Sequence, residues 1–593
     1  DKFIQKAGTF VGGDSNIDVD KFSLTGGTFT STSATMLLSY YTTTNQTDGF
    51  TVDGGTFNHN NGTVKFNDSG WITNTRVLTK VSVPSGVTFN HMEVDLRDTH
   101  SSGGYNDASM EIVTGHTITV DGNLTISDGW ITDGAINLNG NLILGYTDAN
   151  VRAEGNAVGD TTTLLTFTGS SPQTYSCTSN TYGPAVEVNS SSTVSPSGGT
   201  TDCGFAEFGI TAGTFTAPSG TLTLGHGQNA DNTDGFIISG GTFNHNNGTI
   251  KFDYSMYIGA SRKALTVSAP SGVTLNNLEM DLADTYSGAG YDDAQLYITP
   301  GHTITLDGDF TIHDGNIIGA GSVIDLTQGD LHLKYTDDNV RAEWALIIYS
   351  GDNPPPLVKF SGSAAQYYYC DTGAKGPSVE VDSTSTVSAG GATTDCHFSE
   401  FTLTAGSFTA PTGILGIGNY QNQANVDGFV INGGTFNHNN GTVKFDTSSY
   451  IGGALKVLTL SAASGVTFYN LDVDLYDSNS ANDYDDPYVY ITTGHTATVA
   501  NDLTITDGYV MNGTLDVKGN VNFNYTDANI KAESQGTASL IMSGISNVNL
   551  TVQAGAESQG YPLTINKFDA VPPTVTHQTS NLNLSRTVDN MNI

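Results

Sequence analysis

Short runs in which every second residue is apolar recur along the chain, as in "HTITV" from His116, "NLTI" from Asn123 and "TLTL" from Thr221. Alternation with period two places one set of side chains on each face of an extended strand. Gly, Asn, Asp and Ser interrupt these runs at intervals of roughly five to ten residues, which is turn punctuation. No segment shows convincing helical spacing of its apolar residues. The pattern predicts an all-β chain of many short strands.

A longer period lies above this one. "GGTFNHNNGTVKF" at 54–66 returns as "GGTFNHNNGTIKF" at 240–252 and "GGTFNHNNGTVKF" at 433–445. "GHT" recurs with the same steps through His116, His302 and His495, and "YTDANVRAE" from Tyr146 returns from Tyr335 and Tyr525. The middle copy carries short insertions, among them "GDNPPP" around Pro354. With Phe22, Phe208 and Phe401 as phase markers, three tandem repeats run 22–207, 208–400 and 401–584. Residues 1–21 read as the tail of a preceding unit and 585–593 as the start of a following one.

Inside each repeat Phe29 and Phe57, Phe215 and Phe243, and Phe408 and Phe436 follow Gly-Thr or Gly-Ser at a common spacing. Such finer repetition predicts a parallel β-solenoid (β-helix), in which one coil is one rung and like residues stack. The alternative is three tandem β-sandwich domains. Cys177 and Cys203 have the same separation as Cys370 and Cys396. If that separation is one rung, each pair lies on adjacent rungs, close enough for a disulfide. The third repeat has no cysteines and must hold without a bridge.

Charge narrows the partners. The 593 residues include 59 acids against 21 bases, a net charge of -38, with only 13% charged residues in all. So few cations argue against binding nucleic acid or anionic membranes. The 37% hydrophobic content is enough to order the chain. No apolar run approaches the roughly 18 residues of a membrane span, "WALIIY" from Trp344 being among the most apolar. The sequence opens at Asp1 with neither an initiator Met nor a basic and apolar leader, so any secretion signal has been removed or lies outside this sequence. Neutral glycans, cations and protein, including copies of itself, are the expected partners.

From "AGTFTAPSGTLTLG" (212–225) into "DGFIISGGTFNHNNGTIKF" (234–252), the chain resembles very large repeat proteins assigned to the surface of uncultured bacteria. The resemblance covers about the first 50 residues of each repeat, and elsewhere weakens to a general likeness to right-handed β-helix surface proteins. It implies a secreted or cell-surface β-solenoid with a structural or adhesive role, and carries no catalytic residues with it.

The chemistry-bearing residues are mostly those that repeat. A catalytic centre is expected to break a repeat; the candidates that do so, Arg76, His100, His226, His313, His332 and Trp344, form no recognisable motif, and no enzyme is expected. Asn58, His59 and Asn60, with Asn244, His245 and Asn246 and with Asn437, His438 and Asn439, read as stacked turns in which Asn-Gly supplies positive φ. "NGT" at Asn61, Asn247 and Asn440 is also a glycosylation sequon. Acids cluster in 92–108, 278–294 and 471–487. There Met92, Val94 and Leu96 are expected to point inward and Glu93 and Asp95 outward. Asp95, Asp98 and Asp107, Asp281, Asp284 and Asp293, and Asp474, Asp477 and Asp486 are candidate oxygen ligands for calcium, against a plain solvated acidic face. The expected function is a surface fibre, stalk or sheath subunit assembling head-to-tail through its solenoid ends. An adhesin binding glycans or host surfaces is the alternative, favoured by the aromatic "YYYC" at Tyr367 to Cys370.

Overall fold

The computed structural model describes residues 2–40, 47–70, 78–98, 109–145, 163–178, 181–225, 232–253, 264–282, 294–334, 356–418, 425–447, 457–475, 487–524, 537–553, 561–566 and 574–577. The described residues are all-β, and their strands pair in parallel, coil upon coil. This is a parallel β-solenoid. Tandem sandwiches would be antiparallel.

The chain divides into two compact halves, Asp1–Tyr297 and Ile298–Ile593, the division falling inside the second repeat. In the N-terminal half one interior column runs Ile118, Ile136, Leu165, Val186, Phe208, Phe236 and Val267, each paired with the next. In the C-terminal half the matching column runs Ile304, Ile324, Val358, Val379, Phe401, Phe429, Leu460 and Ile491. Period-two alternation makes these columns, because each strand turns the same parity of residue inward. Phe22 stacks on Phe50 at 4.9 Å between ring centroids, and Phe29 on Phe57 at 5.7 Å. Each fully buried Phe contributes about 2–3 kcal/mol.

The coils are less uniform than a fixed rung of 25 to 30 residues. Cross-coil hydrogen bonds join residues 28 apart at Asn58 and Thr30, 18 apart at Asn139 and Asp121, and 33 apart at Thr174 and Asn141. Turns and loops take up the difference while the strands hold their register. The cysteines pair as Cys177–Cys203 and Cys370–Cys396, with Cα–Cα distances of 5.4 and 5.5 Å. Their separation of 26 is not the local coil length, however. Tyr182 pairs with Gly204 and Lys375 with His397, 22 positions on in each case. Each bridge therefore crosses a corner between neighbouring coils, four residues out of register.

Buried polar side chains close the corners. Gln173 donates to the carbonyls of Leu138 and Gly140 (2.8 and 2.6 Å) and accepts from the Gly169 N–H. Gln366 does the same with Leu326, Gly329 and Gly362. Tyr175 and Tyr368, fully buried, donate to the carbonyls of Thr216 and Thr409 (2.9 and 2.8 Å). Gln173, Gln366 and Tyr175 were not legible as core residues and Tyr368 was read as part of an exposed aromatic run; their signal was recurrence at a fixed step.

Candidate functional site

The "NHNNG" segments form one turn made three times. The Gly62 N–H donates to the His59 carbonyl, Gly248 to His245 and Gly441 to His438. Positive φ falls on the two asparagines (Asn60 and Asn61, Asn246 and Asn247, Asn439 and Asn440), where Asn-Gly was expected to take it. Glycine serves for close approach instead: a Cβ on Gly62 would collide with the carbonyl oxygens of Thr32 and Ala34. The imidazole Nδ1 of His59, His245 and His438 accepts the backbone N–H two residues on, each at 3.0 Å. Asn60, Asn246 and Asn439 reach the neighbouring coil at the carbonyls of Ser31, Ala217 and Ala410, each at 3.1 Å. Asn58 bonds Thr30, whereas Asn244 and Asn437 accept from the N–H of Asn246 and Asn439.

The repeated acidic strands meet a lysine. Lys65 Nζ lies 2.6 Å from Glu93 and 2.9 Å from Asp95, Lys251 lies 2.7 Å from Asp281, and Lys444 lies 2.6 Å from Asp474. Each lysine comes from the "GTVKF" or "GTIKF" strand of the preceding coil. Burial pulls the Lys251 pKa down, but its hydrogen bond to Asp281 and the charges of Asp253, Asp281 and Glu279 leave it above its ordinary value. Met92, Val94 and Leu96 point inward as the alternation requires, but Asp95 is also buried, 5% exposed. A register shift between Val94 and Asp95 sets it beside Asp128 rather than on an outer face. Asp98 belongs to the short strand Arg97–Asp98, but its side chain, like Asp107, Asp284, Asp293, Asp477 and Asp486, lies outside the described residues. So do the three "YTD" segments, Arg76, His100, His226 and Trp344.

One cluster of chemistry-bearing side chains departs from the repeat. On the outer face of the C-terminal half, His332 stacks on Tyr369 with centroids 4.4 Å apart, and Tyr367, 39% exposed, lies 6.4 Å from Tyr369. His332 Nε2 is 3.6 Å from Asp309 Oδ2, and ligand atoms of Asp309, Asp330 and His332 all lie within 4.8 Å of one another. Among the described residues this is the one group of three or more His, Cys, Asp or Glu so disposed. The Asp330 N–H donates to Asp309 Oδ1 (2.9 Å) and the Tyr367 N–H to Asp330 Oδ1 (2.7 Å), which fixes both carboxylates. Burial raises the Asp330 pKa against the opposing effect of the Tyr367 N–H. Burial also lowers that of His332, although Asp309 favours its charged form.

The other repeats show what this place is built from. In the first, Asn141 Nδ2 donates to Asn123 Oδ1 (3.1 Å) and the Thr174 N–H to Asn141 Oδ1 (2.8 Å). In the third, Asn520 Nδ2 donates to Asp502 Oδ1 (2.8 Å) and the Asn549 N–H to Asn520 Oδ1 (2.9 Å). The position of His332 is Ile143 in one and Asn522 in the other; that of Tyr369 is Ser176 and Thr551. The second repeat alone carries His332, Asp330 and Tyr369 on this ladder.

The junction between consecutive repeats is also built twice. Val186, Val188 and Val194 pair with Phe208, Ile210 and Phe215 in the N-terminal half, and Val379, Val381 and Val387 with Phe401, Leu403 and Phe408 in the C-terminal half. No described helix is long and apolar enough to cross a membrane. The chain matches no protein-family model, no curated protein and no solved structure.

Proposed function

We propose that the chain is an extracellular structural protein, a subunit of a surface fibre, stalk or sheath that extends head-to-tail. The observation that carries this reading is the repeat junction. The end of one repeat receives the start of the next through the same register in both halves. Such a contact is heterologous and does not close on itself; the Phe22 strand already receives residues 2–11 of its own chain, so copies joined by the same parallel coil pairing onto residues 1–21 form an open filament. The two disulfides suit an oxidising, extracellular setting. The repeated histidines and acids support the reading as well, being engaged in turns and lysine pairs that hold coils together. Sedimentation of the full chain against a variant lacking residues 1–21 tests it. The full chain should grow in size with concentration while the variant stays folded and monomeric. Concentration-independent monomers of both would overturn the proposal in favour of an adhesin.

A further inference from the structure

We propose that Asp309, Asp330 and His332 form a binding site for one divalent transition-metal cation of the zinc class, a property separate from the fibre reading. The first ground is the donor set. Two carboxylate oxygens and one imidazole nitrogen converge within 4.8 Å, and mixed nitrogen and oxygen donors select zinc-like ions over calcium, which takes six to eight oxygens.

The second ground is what the second repeat has replaced. In the first and third repeats an asparagine amide, Asn141 or Asn520, donates across the ladder to the oxygen of Asn123 or Asp502. Asp330 stands in that position and has no side-chain N–H to give. Two carboxylates thus lie side by side where the other repeats place a donor against an acceptor, and a bound cation stabilises that arrangement.

The third ground is support from outside the cluster. Backbone N–H groups of Asp330 and Tyr367 orient the two carboxylates, and Tyr369 lies flat against His332 and fixes its ring plane. Tyr369 in turn needs Gly390: a Cβ there would strike the ring. The matching position in the first repeat is Ser197, beside the small Ser176. Against the first repeat five positions differ together, Asp309, Asp330, His332, Tyr369 and Gly390 standing for Asn123, Asn141, Ile143, Ser176 and Ser197, as an oriented metal site with its outer support requires.

The experiment is titration of the metal-stripped full chain with cobalt(II), read by its visible ligand-field bands, with zinc and calcium as competitors. His332→Asn and Asp330→Asn install the side chains that the third repeat carries at these positions, so both variants keep a ladder the fold already accepts. The expected result is one cobalt per chain, displaced by stoichiometric zinc and not by a hundredfold excess of calcium. Each variant should weaken binding by at least about tenfold. Absence of stoichiometric binding, binding unchanged in both variants, or equal displacement by calcium would overturn the proposal.

Discussion

At the scale of single residues, the chain relies on side chains that do for the backbone what a strand ladder cannot. Asn246 holds a left-handed φ of 49° and donates to the Ala217 carbonyl of the neighbouring coil. Asn246→Ala should lose both, at about 2 kcal/mol in urea unfolding. Asn439→Ala should lose the same amount, because φ and partner recur there; no loss in either would contradict the turn assignment. Glu207 makes a pH prediction. Burial first, then the Asp234 charge, raises its pKa to about 7. A carboxyl with a raised folded-state pKa contributes stability that is fully present below its ordinary range and is lost as pH rises through 7. Glu207→Gln should therefore be more stable than the parent by about 2 kcal/mol at pH 8.5, with the advantage shrinking below pH 7 and gone by about pH 4, in thermal melts across that range. The turns were legible because Asn, His and Gly stand together three times. The assignment of φ within them was not, since it follows from which residue meets the next coil's carbonyls.

At the scale of strands and coils, staples and charge pairs set the stability. Replacing Cys177 and Cys203 together by serine should cost roughly 3 kcal/mol in the chain-entropy account, and likewise Cys370 with Cys396. Non-reducing peptide mapping should find each pair joined, and free thiols would contradict the structure. Lys251→Met leaves Asp253, Glu279 and Asp281 facing one another without their ammonium. The loss should be about 1–2 kcal/mol, read by urea unfolding at constant ionic strength. Parallel coils were legible from period-two alternation beneath a long repeat. Coil length was not, because a solenoid fixes the register of its strands and leaves loop length free. The pairing of the cysteines could be read from their equal spacing, but their four-residue offset from the ladder appears only with the corner between Cys177 and Cys203 in place. The lysine beside each acidic strand was not legible, because it comes from the coil before it, about 30 residues earlier in sequence.

At the scale of the whole molecule, three near-copies of one repeat supply a scaffold, and the second repeat adds a feature of its own. His332 stood among the non-repeated residues that formed no motif, and linear sequence could not do better. Asp330 and His332 stand two positions apart in the sequence, but Asp309 joins them only through pairing with the preceding coil, 21 residues earlier. Of the tyrosines noted for adhesion, Tyr369 and Tyr367 border that same cluster, while Tyr368 is buried in the core. Assembly is the claim on which the functional account rests, and the junctions at Phe208 and Phe401 give it a definite form. Cryo-electron microscopy of the purified chain across a concentration series tests it most directly. Unbranched filaments are expected, with an axial coil spacing of about 4.8 Å and parallel coil pairing continued across each subunit boundary. Single, unassociated molecules at every concentration would contradict it.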